Sequence, residues 1–175
     1  MNSKDATHTH KKFILPFISV LLVIATSFLI YIIPHPTTTR LYETASEQYL
    51  TIKVTPEITI DLDTNSSVAV KKDDSIQIEL LRGEAYFDVH ATQGNGDKLE
   101  IILGNARIRN MGTRFSIRMQ KNGGDIAIAE GQIELQIGTQ TLAIGAGRLI
   151  NFDTTRIINE AIIASSEIAP WRQQK

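Results

Sequence analysis

From Tyr49 onward the chain alternates apolar and polar side chains with a period of two, and it keeps that rhythm for about a hundred residues. Leu50, Ile52 and Val54 are interleaved with Thr51, Lys53 and Thr55. Ile58, Ile60 and Leu62 are interleaved with Thr59 and Asp61, and Ile76, Ile78 and Leu80 with Gln77 and Glu79. Successive side chains of a strand point to opposite faces, so this is the pattern of sheets with one face buried. Val68 with Val70, then residues 85–89, 99–103, 106–111, 114–119, 126–129, 133–137, 142–144 and 149–152, continue it. The result is a dozen short strands of about five residues each. Turn signals separate them: Lys72-Asp73-Asp74, Gly94-Asn95-Gly96, Asn122-Gly123-Gly124, Gly138-Thr139 and Gly145-Ala146-Gly147. No stretch of this region carries a strong helical period. The pattern predicts an all-β domain built as a sandwich, a roll or a short β-solenoid, and alternation serves all three. No strict repeat supports a long solenoid.

Ahead of this domain lies an apolar run bounded by Phe13 and Ile33, with no charged residue and no glycine. A helix of that length spans about 30 Å, the hydrocarbon thickness of a bilayer, and satisfies its own backbone amides in lipid. Pro16 falls in its first turn, and Pro34 and Pro36 stop it. Lys11 and Lys12 flank one end while only Arg40 lies near the other, which places the N-terminus in the cytoplasm and exports the long C-terminal part. The run is too long for an ordinary signal-peptide core and no A-x-A-like site succeeds it, so it reads as an uncleaved anchor. The expected layout is a short tail over 1–12, a transmembrane helix over 13–33, a Pro- and Thr-rich linker over 34–48, the exported all-β domain over 49–153 and a C-terminal extension over 154–175. In that extension residues 156–163 read as one more strand and residues 165–171 as a short helical turn. Trp171, close to the end, wants a surface to lie on.

Charge is nearly balanced, at minus one, so no basic face for nucleic acid is implied. The absence of cysteine removes thiolate chemistry and cysteine metal sites, and leaves an exported domain to be held by its core. His8 and His10 sit in a tail too short to add further ligands, and His90 is alone in the β-domain, so neither a zinc site nor a nucleophilic triad can be assembled there. Asp61 with Asp63, Asp73 with Asp74, and Glu84 with Asp88 are the paired carboxylates a glycosidase-type hydrolase would need. Solvent-side positions of an exposed sheet explain them better, and the chain reads as an interaction module, not an enzyme, with no cofactor. The glycine clusters open no helix and precede no Lys-Ser or Lys-Thr, so they are not phosphate loops.

Four stretches stand out together: LLRGEAYFDV at 80–89, NMGTRFSIR at 110–118, EGQIEL at 130–135 and LAIGAG at 142–147, with a weaker one over 55–70. In order and spacing they resemble the FecR family of single-pass inner-membrane regulators. The residues that carry the resemblance are Gly83, Glu84, Tyr86, Phe87, Gly112, Thr113, Phe115, Glu130, Gly131 and Gly147. Read locally, Gly83 with Glu84, Glu130 with Gly131, and Gly112 with Thr113 are tight turns whose glycines take positive φ, the alternative being partner-contact loops. Tyr86, Phe87 and Phe115 read as core aromatics. The resemblance implies a periplasmic β-domain that touches the signalling domain of a TonB-dependent outer-membrane transporter, and a cytoplasmic helical segment that acts on an ECF-type sigma factor. The chain departs from the pattern at both ends: residues 1–12 are too few for that segment, and the small α/β part that usually comes after the Trp-Arg pair is missing. A shortened signalling component is therefore the leading expectation, and an envelope scaffolding module without regulatory output the alternative.

Overall fold

A strand that must bury one side and wet the other has to pair edge to edge and then fold over on itself, and this chain does so with three strands that are far longer than the rest. The computed structural model describes residues 38–73, 75–90 and 99–174. The expected transmembrane run from Phe13 to Ile33, the tail before it and the Gly94-Asn95-Gly96 turn lie outside the described residues. Among the described residues no helix is long and apolar enough to cross a membrane. All described elements belong to one compact unit, Thr37–Lys175.

That unit is all-β. Its strands are β1 (Thr38–Glu43), β2 (Leu50–Lys53), β3 (Ile58–Leu62), β4 (Ser67–Lys72), β5 (Ile76–Val89), β6 (Leu99–Leu103), β7 (Ala106–Gln120), β8 (Gly123–Ile137), β9 (Gln140–Gly145), β10 (Arg148–Asp153) and β11 (Ile157–Ile162). Two short 3-10 turns, Ser165–Glu167 and Pro170–Gln174, come after them. The expected short strands are corrected at three places: β5, β7 and β8 run 14, 15 and 15 residues without interruption. Each bends and serves two layers. The N-terminal half of β5 pairs with β4 and, in parallel, with β6, while its C-terminal half pairs with β3 and β7. β7 and β8 divide in the same way, β8 taking β10 with its first half and β9 with its second. One layer therefore reads β2–β3–β5–β7–β8–β10–β11 and the other β1–β4–β5–β6–β7–β8–β9, continuous through the bent strands.

The inner faces of both layers feed one core, from Ile52, Ile60 and Leu62 through Ile78, Ile101 and Ile117 to Ile150 and Phe152. Phe87 and Phe115, cross-strand neighbours, stack at its centre with ring centroids 5.1 Å apart. This is the sandwich-like solution among the three that alternation allowed. Residues 38–43, expected as linker, form β1, an edge strand paired with β4 from Thr38↔Lys72 to Glu43↔Ser67. Only its Tyr42 is half-buried, so the strand lacks the alternation that would reveal it.

Candidate functional site

The motif residues of the sequence cluster where the long strands bend. In β5 the inward residues are Ile76, Ile78 and Leu80 before the bend, but Ala85, Phe87 and Val89 after it. The inward parity flips likewise between Ile108 and Phe115 in β7 and between Ile128 and Ile133 in β8. Gly83, Gly112 and Gly131 sit at these flips with φ of 79°, 111° and 78°. The positive φ expected of them is therefore present, but the tight turns are not: the glycines bend continuous strands, as bulges and kinks do in closed sheets.

At the first corner a Cβ on Gly83 would fall 2.2 Å from Ser66 Oγ. That hydroxyl accepts the Glu84 amide at 2.9 Å and donates to the Thr64 carbonyl at 3.1 Å. The Ser66 amide in turn donates to Thr44 Oγ1 at 2.9 Å, whose hydroxyl donates to the Asp63 carbonyl at 2.6 Å. The Asp63 amide closes the ring on the Glu84 carbonyl at 3.0 Å. Thr44, Ser66 and Glu84 are all buried, Glu84 being 6% exposed. The Glu84 carboxylate receives Ser116 Oγ at 2.9 Å on one oxygen and Arg118 Nε at 2.7 Å on the other. This bond pushes the Arg118 guanidinium above its ordinary pKa, against burial. Asp63, beside it, has its pKa raised, first by burial and further by the Glu84 charge, while the Thr64 amide opposes.

The second corner joins β7 and β8. A Cβ on Gly131 would meet the Gly112 carbonyl oxygen at 2.6 Å. Thr113, buried beside it, donates its hydroxyl to the Gln132 carbonyl at 2.8 Å. Outside, Arg114 holds Asp88 at 3.1 Å and Glu130 at 2.8 Å, and His90 lies 3.6 Å from Asp88. Gly147 is elsewhere: it lies in the turn between β9 and β10 at φ 77° and gives its amide to the Ile128 carbonyl.

Between the corners, on the outer face of the first layer, runs a row of cross-strand neighbours: Thr51, Asp61, Tyr86, Ser116, Ala127 and Leu149. The segment after β11 folds back over it. Tyr86, Ala127, Ile168, Ala169 and Trp171 form a second apolar cluster, separate from the main core. Tyr86 thus belongs to the outer face, whereas its neighbour Phe87 points into the core. Trp171 stacks on Tyr49 at 6.0 Å between centroids and 10° between planes. Arg172 lies 3.7 Å from the centroid of the Tyr86 ring and bonds Asp61 at 2.9 Å.

The carboxylate pairs are corrected accordingly. Asp61 is not solvent-side but 8% exposed, receiving Thr51 Oγ1 at 2.6 Å as well as Arg172. Glu84 and Asp88 are each engaged by a different arginine, so neither pair presents two free carboxyls to one cleft. Asp73 is held by Lys71, and its partner Asp74 lies outside the described residues. Among the described residues no group of three His, Asp or Glu could hold a metal ion. The chemistry on display is that of recognition: paired charges, buried hydrogen bonds and stacked rings. The sequence shows the helical turn near 165–171 and a Trp171 in need of a surface, but not the partners of Thr44, Ser66, Arg118 and Arg172, which lie far away in the chain.

Comparison with known proteins fits this geometry. No curated protein matches the chain. Two crystal structures of a protein named "putative anti-sigma factor" from Parabacteroides distasonis ATCC 8503 share the fold, with TM-scores of 0.66 and 0.65 at 13% identity. The aligned parts cover 78% and 77% of this chain, and 65% of each of those chains. The family described as FecR protein matches residues 40–134, a stretch that runs from β1 through all three bends and covers more than half of the chain. The chain belongs to the FecR family.

Proposed function

We propose that this chain is a membrane-anchored signalling component of anti-sigma type, whose exported β-domain senses the state of an outer-membrane transporter and whose output is control of an ECF-type sigma factor. The observation that carries the reading is the FecR match over residues 40–134, which falls on the bent-strand scaffold itself. The name borne by the two structural neighbours, anti-sigma factor, supports the same class. The charge-free run from Phe13 to Ile33 supports a single pass through the inner membrane, with the N-terminus in the cytoplasm and the β-domain in the periplasm.

The mechanism is a coupling free energy. A transporter signalling domain that binds one arrangement of the β-domain better than another shifts its population, and the anchor carries the difference across the membrane. The bends make such a coupling physically natural, because each long strand belongs to both layers and a shift in one layer is passed on covalently.

The test has two parts. Phosphatase fusions after residues 12, 48 and 153 report topology, with activity expected only for the last two. Deletion of the gene is expected to change transcription of a neighbouring sigma-dependent uptake operon at least severalfold. Unchanged transcription, with the β-domain still binding envelope partners, would make the chain an envelope interaction module instead.

A further inference from the structure

The outer-face cluster has the construction of a ligand in a site, even though both halves belong to one chain. After β11 the Ile163 amide bonds the Gly147 carbonyl. Beyond that point the backbone amides of Glu167, Ile168 and Arg172 bond the carbonyls of Ala164, Ser165 and Ala169, all within the segment itself. A strand would be held by a ladder; this segment is held to the sheet by side chains at its far end. Ala169, immediately before the second 3-10 turn, has φ of 47°, a left-handed conformation that a residue with a Cβ adopts only under constraint. Release of the segment relieves that constraint.

The receiving surface is shaped for one chemistry. Asp61 and Tyr86 are register partners on β3 and β5, so carboxylate and ring stand side by side. The Arg172 guanidinium uses both at once, the carboxylate edge-on at 2.9 Å and the ring face at 3.7 Å from its centroid. A planar cation with a fork of donors fits that corner, and an ammonium does not reproduce both contacts. Next to it Tyr49 offers a flat face that Trp171 covers.

We infer that residues 163–174 are a releasable latch, and that the cradle of Tyr49, Asp61 and Tyr86 beneath it is a recognition site for a segment carrying an aromatic residue next to an arginine. The chain's own Trp171-Arg172 is the resident occupant, and a partner presenting the same pair competes for the same place. This holds whichever transporter or sigma factor the domain serves.

Trp171 is the only tryptophan of the chain, so tryptophan emission, excited selectively over the four tyrosines, reports the latch alone. The full chain in mild detergent is titrated with urea, since guanidinium ions would compete for the cradle. Tryptophan emission is expected to shift to the red at lower urea than the far-UV β signal is lost. Coincident transitions would overturn the latch. In Arg172→Ala the emission is expected to be red-shifted already in buffer, with the β signal intact, and Arg172→Lys is expected to restore it only in part. An emission in Arg172→Ala identical to that of the wild type would again overturn it. The cradle is tested with a fluorescein-labelled peptide of residues 163–174. It is expected to bind Arg172→Ala about tenfold more tightly than the wild-type chain, whose cradle is occupied. A peptide with lysine in place of the arginine is expected to lose that advantage. Equal affinity for both chains, or for both peptides, would overturn the recognition site. If Arg172→Ala fails to fold, the wild-type urea titration decides the latch, and the affinities of the two peptides for the wild-type chain decide the cradle.

Discussion

The two corners of the sandwich solve one problem with different materials. Both need a glycine at positive φ to carry a strand from one layer to the other, and in both the space for a Cβ is taken by neighbouring atoms. At Gly83 the space is filled by Ser66 within a lattice that runs from buried Thr44, Glu84 and Ser116 out to half-buried Asp63 and exposed Arg118. At Gly112 and Gly131 the backbones touch each other, and the charges of Arg114, Asp88 and Glu130 lie outside in water. Stability resides differently in the two. Buried polar groups that satisfy one another are costly to disturb, since removing one partner strands the others, whereas exposed ion pairs exchange one set of contacts for water.

The largest effect is therefore expected at the first corner. Gly83→Ala combines a left-handed backbone with a side-chain carbon placed on Ser66, and should cost about 3 kcal/mol or more, measured as the urea midpoint of the β signal. Gly131→Ala meets the Gly112 carbonyl at 2.6 Å and shares the strain, but the nearest side-chain oxygen, Thr113 Oγ1, is 3.3 Å from its Cβ where Ser66 Oγ is 2.2 Å from that of Gly83, so about 2 kcal/mol is expected. Equal losses would mean that backbone strain alone sets the cost and that the lattice adds nothing. Glu84→Ala isolates the lattice without touching a glycine. It leaves the Ser116 hydroxyl and the inner end of Arg118 without their carboxylate, for a loss of about 2 kcal/mol, reduced because the outer part of Arg118 is wet.

The same contrast explains what the sequence discloses. Alternation fixes the all-β class and most inward positions, because burial of one face writes itself into every second residue. The bends were legible in principle. Arg82-Gly83-Glu84, Met111-Gly112-Thr113 and Glu130-Gly131-Gln132 lack the Asn-Gly or Asp-Gly that a two-residue hairpin favours, and inward parity flips across each. A glycine between two alternating runs of opposite phase, without turn chemistry, marks a bent strand. The polar lattice was not legible, since Thr44, Ser66 and Glu84 meet only after three strands have paired. Arg172 and Asp61 are 111 residues apart, and no local pattern announces them. β1 is hidden for the opposite reason: an edge strand that buries almost nothing carries no period.

A pH series sharpens the account of the first corner. The Asp63 pKa is raised above its ordinary 3.8, chiefly by burial, so folding favours the protonated form. The stability this group contributes is fully present below about pH 3.8 and is lost as pH rises through the raised folded value. Asp63→Asn keeps an oxygen for the Thr64 amide, at 2.7 Å from the carboxylate, and removes the charge. It should raise the melting temperature at pH 7, by less than Glu84→Ala lowers it, and the gain should fade as pH falls through the raised folded value and be gone below about 3.8. A variant less stable than wild type at pH 7 would show that the Asp63 charge supports Arg118 more than burial penalises it.

The smallest effect is expected at the second corner, with Arg114→Ala. Its guanidinium is held above its ordinary pKa by the Asp88 bond and the charges of Asp88 and Glu130, yet it lies at the surface, where solvent and salt screen all three. The urea midpoint should shift far less than in Glu84→Ala, and the small difference from wild type should vanish as salt is raised to 1 M. Most of the Glu84→Ala loss should survive the same salt, because the Glu84 carboxylate and the Ser116 hydroxyl bound to it are buried. If Arg114→Ala instead matched Glu84→Ala at every ionic strength, the Asp88–Arg114–Glu130 ladder would be a structural clamp on the β7–β8 bend. The division between a corner held by buried hydrogen bonds and one held by backbone contact would then fail.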